Sequence, residues 1–283
     1  MIDPLFLLRD LIQERTGLFF RDYQGLELIA ARLKPRLEKK GCGSFTEYYR
    51  LLSEEKVSPA SEWLHVIAQL SKPVSSFARH TDMTQLLVNA IIPQLLSNGD
   101  AKRLKIWSAG CATGEEPLMI AMTLSEAGWL DRIEVEIFGS DASFVAIEKA
   151  RRGIYSESKV WPLAPELKSK YFTSLDEGWQ VKPELHERIQ WSVTNLIIES
   201  EMAELATSHI IFCRKVFIYF SESAIRQTLR LFEKQMPRGG CLLTDEGDYF
   251  ISLMSQLNIF ERQVINGVSI WVKGIGNAPV KMG

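Results

Sequence analysis

The chain has 283 residues and a formal net charge of −2, from 33 lysines and arginines against 35 aspartates and glutamates. This balance excludes a polycation that holds nucleic-acid phosphates, and the 46% of hydrophobic residues can fill a sizeable core. No stretch approaches the ~18 apolar residues of a membrane span, and the N-terminus lacks a secretory signal, which favours a cytoplasmic protein without a membrane-inserted segment. The four cysteines and four histidines are scattered, so we expect neither a disulfide framework nor a metal site.

Helices dominate the prediction for residues 1–83. Leucine and isoleucine recur at helical spacing over residues 5–12 and 26–37, and a third helical pattern starts at Phe45. Pro35 lies inside the second pattern and has no backbone N–H to donate, so we expect this helix to kink or end there. This part of the chain is therefore predicted to be an all-helical N-terminal domain with a linker.

A short basic segment lies at the end of the second helical pattern. Residues 31–40 contain five lysines and arginines and one glutamate, which gives a net charge of +4. One interpretation is a solvated helix face, and the other is a docking surface for an acidic partner helix. The sequence supports the two interpretations equally.

The remaining residues, 84–283, predict an α/β domain. Apolar runs alternate with helical stretches, which is the pattern of a parallel, Rossmann-like sheet flanked by helices. An Asn-Gly pair at residues 266–267 joins two alternating segments and predicts a terminal antiparallel hairpin. Prolines and two short aromatic segments interrupt the alternation at residues 156–190, where we expect a small β subdomain as an insertion.

The most informative stretch is residues 104–117, LKIWSAGCATGEEP, which runs from a strand through a glycine-containing turn into a helix. Gly110 lets the backbone approach a ligand closely, and the helix N-terminus offers free N–H groups at the carboxyl end of the strand. The glycine spacing differs from that of the common phosphate-binding loops. Glu115 and Glu116 at the start of the helix would repel a pyrophosphate and favour a cationic ligand.

The next predicted strand ends at Asp141, 31 residues after Gly110. A carboxylate at this point of such a unit binds the diol of a ribose. A nucleoside that carries positive charge and no phosphate fits both features, and S-adenosylmethionine, which has a sulfonium, is the common cofactor of that description. The alternative is that Glu116 only caps a helix and Asp141 only begins one.

At these residues the chain resembles the CheR-type chemotaxis receptor methyltransferases, which use S-adenosylmethionine to esterify glutamates on receptor helices. The resemblance extends over nearly the whole length and is carried by residues 16–18 (TGL), 44–48 (SFTEY), 107–117 (WSAGCATGEEP), 138–141 (FGSD), 150–155 (ARRGIY), 195–196 (NL) and 212–220 (FCRKVFIYF). It implies a class I methyltransferase fold and S-adenosylhomocysteine as the product. It also implies a chemoreceptor-like helical protein as the substrate, bound through the basic residues 31–40. We further expect a monomer.

The resemblance also assigns roles to individual residues. The cofactor contacts that it implies are Ser75, Arg79, Gly110, Glu116, Asp141, Asn195, Leu196, Lys215 and Val216. Glu116 would face the methionine part of the cofactor, and Asp141 would bind its ribose. Arg79 and Tyr219 would be the catalytic residues beside the transferred methyl group. From the residues alone, Arg79 would be a surface arginine and Tyr219 a core aromatic.

Several positions depart from the family pattern, and among them Pro73 and Lys215 stand where asparagine is usual. Proline cannot donate a backbone hydrogen bond, and Lys215 brings a positive charge close to a sulfonium. That charge would weaken cofactor binding unless Glu115, Glu116 or Asp141 neutralises it. The departures motivate two alternatives: a degenerate regulatory or scaffold protein that binds S-adenosylmethionine or S-adenosylhomocysteine without methyl transfer, and a methyltransferase with a different acceptor.

Methyl transfer from a sulfonium to a carboxylate is a one-step displacement. It needs no general base, because a glutamate with a reference pKa of ~4.3 is already an anion at neutral pH. Alignment of the carboxylate, the methyl group and the sulfur is the main requirement. Arg79 suits this task, since a guanidinium can hold a carboxylate through two parallel hydrogen bonds. The predicted function is therefore S-adenosylmethionine-dependent O-methylation of glutamates on a chemoreceptor-like protein.

Overall fold

The computed structural model describes residues 3–55, 61–71, 73–77, 81–97, 103–245 and 247–274. In the first two of these ranges, four helices are present: α1 (Pro4–Thr16), α2 (Asp22–Lys39), α3 (Phe45–Glu54) and α4 (Glu62–Leu70). Each helix turns apolar side chains toward a common core. That core contains one fully buried large side chain from each helix: Ile12, Leu33, Tyr48 and Trp63. The predicted all-helical N-terminal part is therefore confirmed.

We expected a kink or an end of the helix at Pro35, and the end is wrong, because α2 continues past Pro35 to Lys39. A proline inside a helix costs ~3 kcal/mol, because it removes one hydrogen bond and crowds the preceding turn. The carbonyl that loses its partner belongs to Ala31, which is exposed together with Pro35, so water can satisfy it. Leu33 and Leu37 pack into the core on either side of the proline and hold the helix in place.

The basic segment 31–40 divides its charges between the inside of the helical part and the solvent. Arg36 is buried and donates two hydrogen bonds to the carboxylate of Glu62, at 2.8 Å and 2.5 Å. Arg32 donates to carbonyl groups at the end of α4. The exposed cations of the segment are Lys34, Lys39 and Lys40. Nζ of Lys40, although exposed, lies 3.2 Å from Oε2 of Glu62, so three of the five cations contact α4.

The strands of the described residues are β1 (Arg103–Ala109), β2 (Glu134–Asp141), β3 (Ile154–Tyr155), β4 (Phe172–Leu175), β5 (Gly178–Val181), β6 (Ile189–Val193), β7 (Ile210–Cys213), β8 (Cys241–Thr244), β9 (Glu261–Ile265) and β10 (Val268–Val272). Seven of these described strands form one sheet in the order β6-β2-β1-β7-β8-β10-β9. Strands β6, β2, β1, β7 and β8 run parallel, whereas β10 runs antiparallel to both of its neighbours. The predicted α/β fold with a terminal antiparallel hairpin is confirmed.

The helices after the N-terminal part are α5 (Thr81–Leu86), α6 (Ile92–Ser97), α7 (Glu115–Glu126), α8 (Phe144–Arg152), α9 (Glu157–Val160), α10 (Pro165–Tyr171), α11 (Pro183–His186), α12 (Glu199–Met202), α13 (Glu222–Gln235) and α14 (Asp248–Leu257). A π-helical turn, Leu87–Ile91, joins α5 to α6. In the part of the chain that the structure describes, no helix has both the length and the apolar character needed to cross a membrane.

The central strands of the large sheet are buried on both faces. In β1, Ile106 packs against one core and Trp107 against the other, and in β8 Leu243 and Leu242 divide in the same way. The first core also contains side chains of α7, and the second contains side chains of α13 and α14. Because successive side chains of a strand point to opposite faces, strands covered on both sides appear in the sequence as continuous apolar runs.

The expected β subdomain is a second sheet, which in the described residues has three antiparallel strands in the order β3-β5-β4. It is accompanied by the short helices α9, α10 and α11, which the sequence did not indicate. These elements lie between α8 and β6, as an insertion into the alternation of the large sheet. The domain boundaries expected at residues 83, 156 and 190 stay predictions.

Candidate active site

A cavity of about 850 Å³ lies where the carboxyl ends of β1, β2, β6 and β7 face the N-terminal helices. Open parallel sheets bind ligands at this edge, and the volume suits a molecule of cofactor size. Nine of the ten predicted site residues line the cavity, namely Ser75, Gly110, Glu116, Asp141, Asn195, Leu196, Lys215, Val216 and Tyr219. The tenth, Arg79, lies outside the described residues, so its role stays a prediction.

Gly110 shapes the turn after β1. Its φ of +77° lies in the left-handed region that favours glycine. Its N–H donates to the carbonyl of Ser140 at 2.8 Å, which ties the turn to the end of β2. A Cβ at this position would overlap Cγ2 of Val216 in the segment after β7, so any larger residue requires this side chain to shift. The glycine therefore allows two walls of the cavity to approach each other.

Asp141 ends β2 and accepts two backbone hydrogen bonds. Its Oδ2 accepts from the N–H of Ala112 at 3.0 Å, and its Oδ1 accepts from the N–H of Ser143 at 2.8 Å. Burial raises the pKa of its carboxyl, and the two backbone donors oppose the rise. The carboxylate thus supports the turn after β1 and lines the cavity at the same time.

As the pH falls, we expect cofactor affinity to begin to decrease at a higher pH than it would if Asp141 had the pKa of an ordinary aspartate. Because the pKa of Asp141 is raised, this carboxyl takes up its proton earlier as the pH falls, and it then has fewer acceptor sites for a ribose. A raised pKa by itself stabilises the folded chain at low pH, and this stabilisation is lost as the pH rises through the pKa of the folded state. Weaker binding at low pH would therefore not result from unfolding caused by this group. Calorimetric titration with S-adenosylhomocysteine across acidic pH, with a thermal melt at each pH, measures both quantities. The same pH dependence in Asp141→Asn would contradict the assignment.

Glu116 is the second residue of α7 and is only 5% exposed. Its Oε1 accepts a hydrogen bond from the hydroxyl of Ser108 at 2.7 Å. Its Oε2 lies 3.9 Å from Nη1 of Arg214, in the segment after β7. Three neighbouring elements therefore hold the carboxylate in place at the wall of the cavity.

Glu115 is fully buried but does not line the cavity, so the expectation that both glutamates attract the ligand is wrong for Glu115. Its Oε2 accepts from the hydroxyl of Thr113 at 2.7 Å, and its Oε1 accepts from Nζ of Lys159 at 2.8 Å. Lys159 belongs to α9 of the insertion and also donates to the carbonyl of Ser75. This lysine connects the insertion with two walls of the site, and sequence reasoning missed it.

Lys159→Met should lower the free energy of unfolding by ~2–3 kcal/mol, because it leaves the buried Glu115 carboxylate without its cation. This is less than for a fully buried pair, since the lysine side chain is 35% exposed. The double variant Lys159→Met/Glu115→Gln should recover most of the loss, because burial of an amide costs less than burial of an unpaired charge. Urea denaturation of the three proteins measures these differences. Wild-type stability of Lys159→Met would show that the pair has no structural role.

Lys215 has a φ of +56°, a left-handed conformation that is uncommon outside glycine. Its N–H donates to the carboxylate of Asp245, and its Nζ lies 3.2 Å from Oδ1 of the same residue. Nε of Arg214 lies 3.8 Å from that oxygen. The acid beside Lys215 is therefore Asp245, rather than one of the three acids expected from the sequence.

Asn195 and Leu196 follow β6 and line the cavity. Nδ2 of Asn195 donates to the carbonyl of Arg15 in α1 at 2.9 Å, and its N–H donates to the carboxylate of Glu201 at 2.7 Å. Leu196 is buried, and its carbonyl accepts from the hydroxyl of Thr228 at 3.1 Å. The side chain of Asn195 therefore joins the N-terminal helices to the sheet beside the cavity.

Tyr219 ends a short 3₁₀ turn, Phe217–Tyr219, and is 43% exposed, so it is not a core aromatic. It belongs to a group of exposed apolar side chains at the cavity, which we call the apolar rim: Phe19, Val74, Ile218 and Tyr219. The carbonyl of Tyr219 accepts from the N–H of Phe19 at 2.7 Å. Exposed apolar groups of this kind mark binding surfaces.

The segment after α1 also contributes to the site, which the sequence did not indicate. Leu18 forms an isolated antiparallel bridge with Phe220, and the N–H of Ser221 donates to the carbonyl of Gly17 at 3.0 Å. The side chain of Leu18 lines the cavity. Residues 16–18 were part of the resemblance, but nothing in the sequence placed them beside the segment after β7.

Two family models match the chain. The model described as CheR methyltransferase, all-alpha domain, matches residues 5–71, and the model described as CheR methyltransferase, SAM binding domain, matches residues 73–263. A chemotaxis protein methyltransferase of Borreliella burgdorferi is 33% identical over 85% of this chain and 86% of its own length. That of Escherichia coli is 30% identical over 86% of this chain and 83% of its own. Among solved structures, magnesium protoporphyrin IX methyltransferase from Synechocystis with bound SAM aligns at a TM-score of 0.35 and 12% identity, over 96% of each chain.

The sheet with its antiparallel last pair and the matched SAM binding domain define a class I methyltransferase that depends on S-adenosylmethionine. The residues of the cavity fit this cofactor, because Gly110 leaves space that a Cβ would fill and Glu116 and Asp141 supply negative charge. The chain belongs to the CheR methyltransferase family, since the two family models together span residues 5–263 apart from residue 72. Its cofactor is S-adenosylmethionine, and S-adenosylhomocysteine remains after methyl transfer.

Proposed function

We propose that this chain methylates glutamate side chains of a chemoreceptor-like helical protein and so forms glutamate methyl esters. The observation that carries the proposal is the separation of charge in the site: the carboxylate of Glu116 is buried in the cavity wall, whereas the rim is apolar. An approaching glutamate therefore meets the apolar rim before it meets negative charge. The relatives, which are named chemotaxis protein methyltransferases, support the choice of acceptor.

The proposal gives each part of the site a task. When bound, S-adenosylmethionine supplies an electrophilic methyl group on a positively charged sulfur. Asp141 holds the ribose and Glu116 the methionine part. Tyr219 lies where the acceptor enters, and Arg79, outside the described residues, is the proposed clamp for the acceptor carboxylate. The cytoplasmic location and the monomeric state expected from the sequence belong to the same proposal.

The remaining predicted contacts form the walls around these groups: Ser75, Gly110, Asn195, Leu196, Lys215 and Val216. What they contribute is alignment, because the acceptor carboxylate is already an anion at neutral pH and no proton has to be removed from it. The rate should therefore depend on how firmly these walls fix the two reactants.

We further propose that the exposed lysines of α2 contact acidic positions of the substrate helix. Leu28 lines the cavity and Lys34 lies farther along the same helix, so α2 extends from the site to the basic segment. Lys34→Glu should raise the KM for the receptor without changing cofactor affinity, because like charges would then face each other. Lys149 is an exposed lysine of α8, and the variant Lys149→Glu is the matched control. An equal change of KM in both variants would show that net charge alone is responsible.

The test of the proposed function is transfer of tritiated methyl groups from S-adenosylmethionine to purified receptor cytoplasmic fragments. Methyl esters release volatile tritiated methanol in mild base, whereas methyl groups on nitrogen stay bound. We expect volatile counts that disappear when the acceptor glutamates are replaced by alanine. Base-stable product would identify a different acceptor group, and tight cofactor binding without any product would indicate a regulatory or scaffold protein. Either result contradicts the proposal.

A further inference from the structure

Lys159, in α9 of the insertion, contacts two walls of the cavity without lining it. Its Nζ donates to the main-chain carbonyl of Ser75 and, at 2.8 Å, to Oε1 of Glu115. Ser75 itself lines the cavity, and Glu115 directly precedes Glu116, which lines it as well. One ammonium group therefore joins two segments of the cavity wall that are far apart in the sequence.

The first of these segments, residues 73–77, depends on individual contacts for its position. Residues 73–76 belong to no helix or strand, and Pro73 has no N–H to donate. The segment contributes Ser75, which is only 8% exposed, to the cavity and Val74 to the apolar rim. Its position therefore shapes both the cofactor site and the entrance to it.

The insertion reaches the same two walls at a second place. The buried ring of Phe77 makes edge-to-face contacts with Tyr155 of β3 and Phe172 of β4, with ring centroids 5.3 Å and 5.7 Å apart. The hydroxyl of Tyr155 donates to the carbonyl of Thr113, in the turn after β1, at 2.7 Å. The insertion is therefore packed against the cofactor site and is not a separate appendage.

The backbone of Lys159 is held in place as well. The next residue, Val160, is fully buried, and Glu157 at the start of α9 pairs with Lys168 of α10 at 2.7 Å. A side chain can fix the position of another group only when its own backbone is held. Because α9 is anchored in this way, the reach of the lysine side chain sets where the carbonyl of Ser75 lies.

We propose that Lys159 is a positioning residue that holds residues 73–77 and the start of α7 at the spacing that the cofactor requires. It acts through the carbonyl of Ser75 and the carboxylate of Glu115 and does not touch the cofactor. A wall that is ordered in advance favours binding, because the ligand does not have to order it. The proposal depends on the cofactor in this cavity and not on the identity of the acceptor.

The test is a cycle of variants in which calorimetry measures the affinity for S-adenosylhomocysteine, whose sulfur is neutral. Lys159→Met should weaken this ligand about five- to tenfold, because the carbonyl of Ser75 loses its donor. Glu115→Gln should stay within about twofold of wild type, because the lysine still holds Ser75. The double variant Lys159→Met/Glu115→Gln should bind as weakly as Lys159→Met.

Urea denaturation of the same proteins separates positioning from stability. The double variant should regain most of the stability that Lys159→Met loses, because no buried carboxylate is then left without its cation. Its affinity should not recover, because Ser75 still lacks the lysine. A lysine that only stabilises the fold would instead let affinity and stability recover together. The double variant also gives a readout if Lys159→Met alone does not fold.

Hydrogen exchange of the ligand-free proteins reports the wall directly. The amides of residues 74–77 should exchange at least about fivefold faster in Lys159→Met and in Lys159→Met/Glu115→Gln than in wild type. Lys168→Met is the matched control, because Lys168 lies in the same insertion and also pairs with a glutamate, Glu157. This variant should leave both the affinity and the exchange of residues 74–77 unchanged.

Wild-type affinity of Lys159→Met would overturn the proposal. Recovery of affinity together with stability in the double variant, or equal weakening by Lys168→Met, would do the same. None of these measurements requires an acceptor protein, so failure of this inference leaves the proposed glutamate methylation intact. Conversely, absence of receptor methylation would not change the affinities or the exchange rates.

Discussion

Asp141→Ala should weaken the affinity for S-adenosylhomocysteine by ~100-fold or more. Hydrogen bonds to a charged group contribute ~1.5–3 kcal/mol each, and the variant loses those to the ribose. It also leaves the N–H groups of Ala112 and Ser143 without their acceptor, so the turn after β1 loses one of its links to β2. Isothermal titration calorimetry of the folded variant measures the effect directly.

The product is the better ligand for this measurement, because its neutral sulfur separates the ribose contact from the charge of the site. Asp141→Asn should give an intermediate loss, since the amide keeps one acceptor oxygen but turns an NH₂ group toward the second backbone N–H. Asp131→Ala is the matched control and should bind as wild type does. If the affinity of Asp141→Ala stays within about threefold of wild type, Asp141 does not bind the ribose.

Gly110→Ala should have the second largest effect, with a loss of cofactor affinity of ~10- to 100-fold and of ~2–4 kcal/mol in the free energy of unfolding. A left-handed φ costs ~1–2 kcal/mol for a residue with a Cβ. In addition, the new methyl group overlaps Cγ2 of Val216, so this side chain in the wall of the cavity has to shift. Urea denaturation and calorimetric titration separate the two losses.

Gly41 offers a matched control, because its φ of +71° is similar and a Cβ added there would meet no atom within 4 Å. Gly41→Ala should therefore cost only ~1–2 kcal/mol of stability and leave cofactor affinity unchanged. The double variant Gly110→Ala/Val216→Ala should recover part of the affinity by removing the overlap. If Gly110→Ala and Gly41→Ala affect the cofactor equally, the close approach to Val216 is not what shapes the site.

The parts of the site that could be predicted are those formed by short stretches of sequence. Gly110, Glu116 and Asp141 follow from one strand-turn-helix unit and the strand after it, where local chemistry and the rules of parallel sheets decide the geometry. The strands themselves were recognisable because burial on both faces gives uninterrupted apolar runs, as in 241–244. The hairpin was recognisable for a different reason, the Asn-Gly pair between two alternating segments.

Contacts between distant segments could not be predicted in this way. Lys159 pairs with Glu115 across the insertion, and Lys215 pairs with Asp245 rather than with an acid of the glycine turn. Several acids were equally plausible partners in the sequence, and only the packing of β7 against β8 decides which one is near. Pro35 shows the same limit in the fold, because tertiary packing on both sides of it overrides a local preference.

The most direct test of the account is a crystal structure of the chain with S-adenosylhomocysteine. We expect the ligand in the cavity at the carboxyl ends of β1 and β2, with its ribose hydroxyls on the carboxylate of Asp141, its amino-acid end toward Glu116 and its sulfur facing the apolar rim at Tyr219. A ligand bound elsewhere, or one whose ribose lies away from Asp141, would contradict the account.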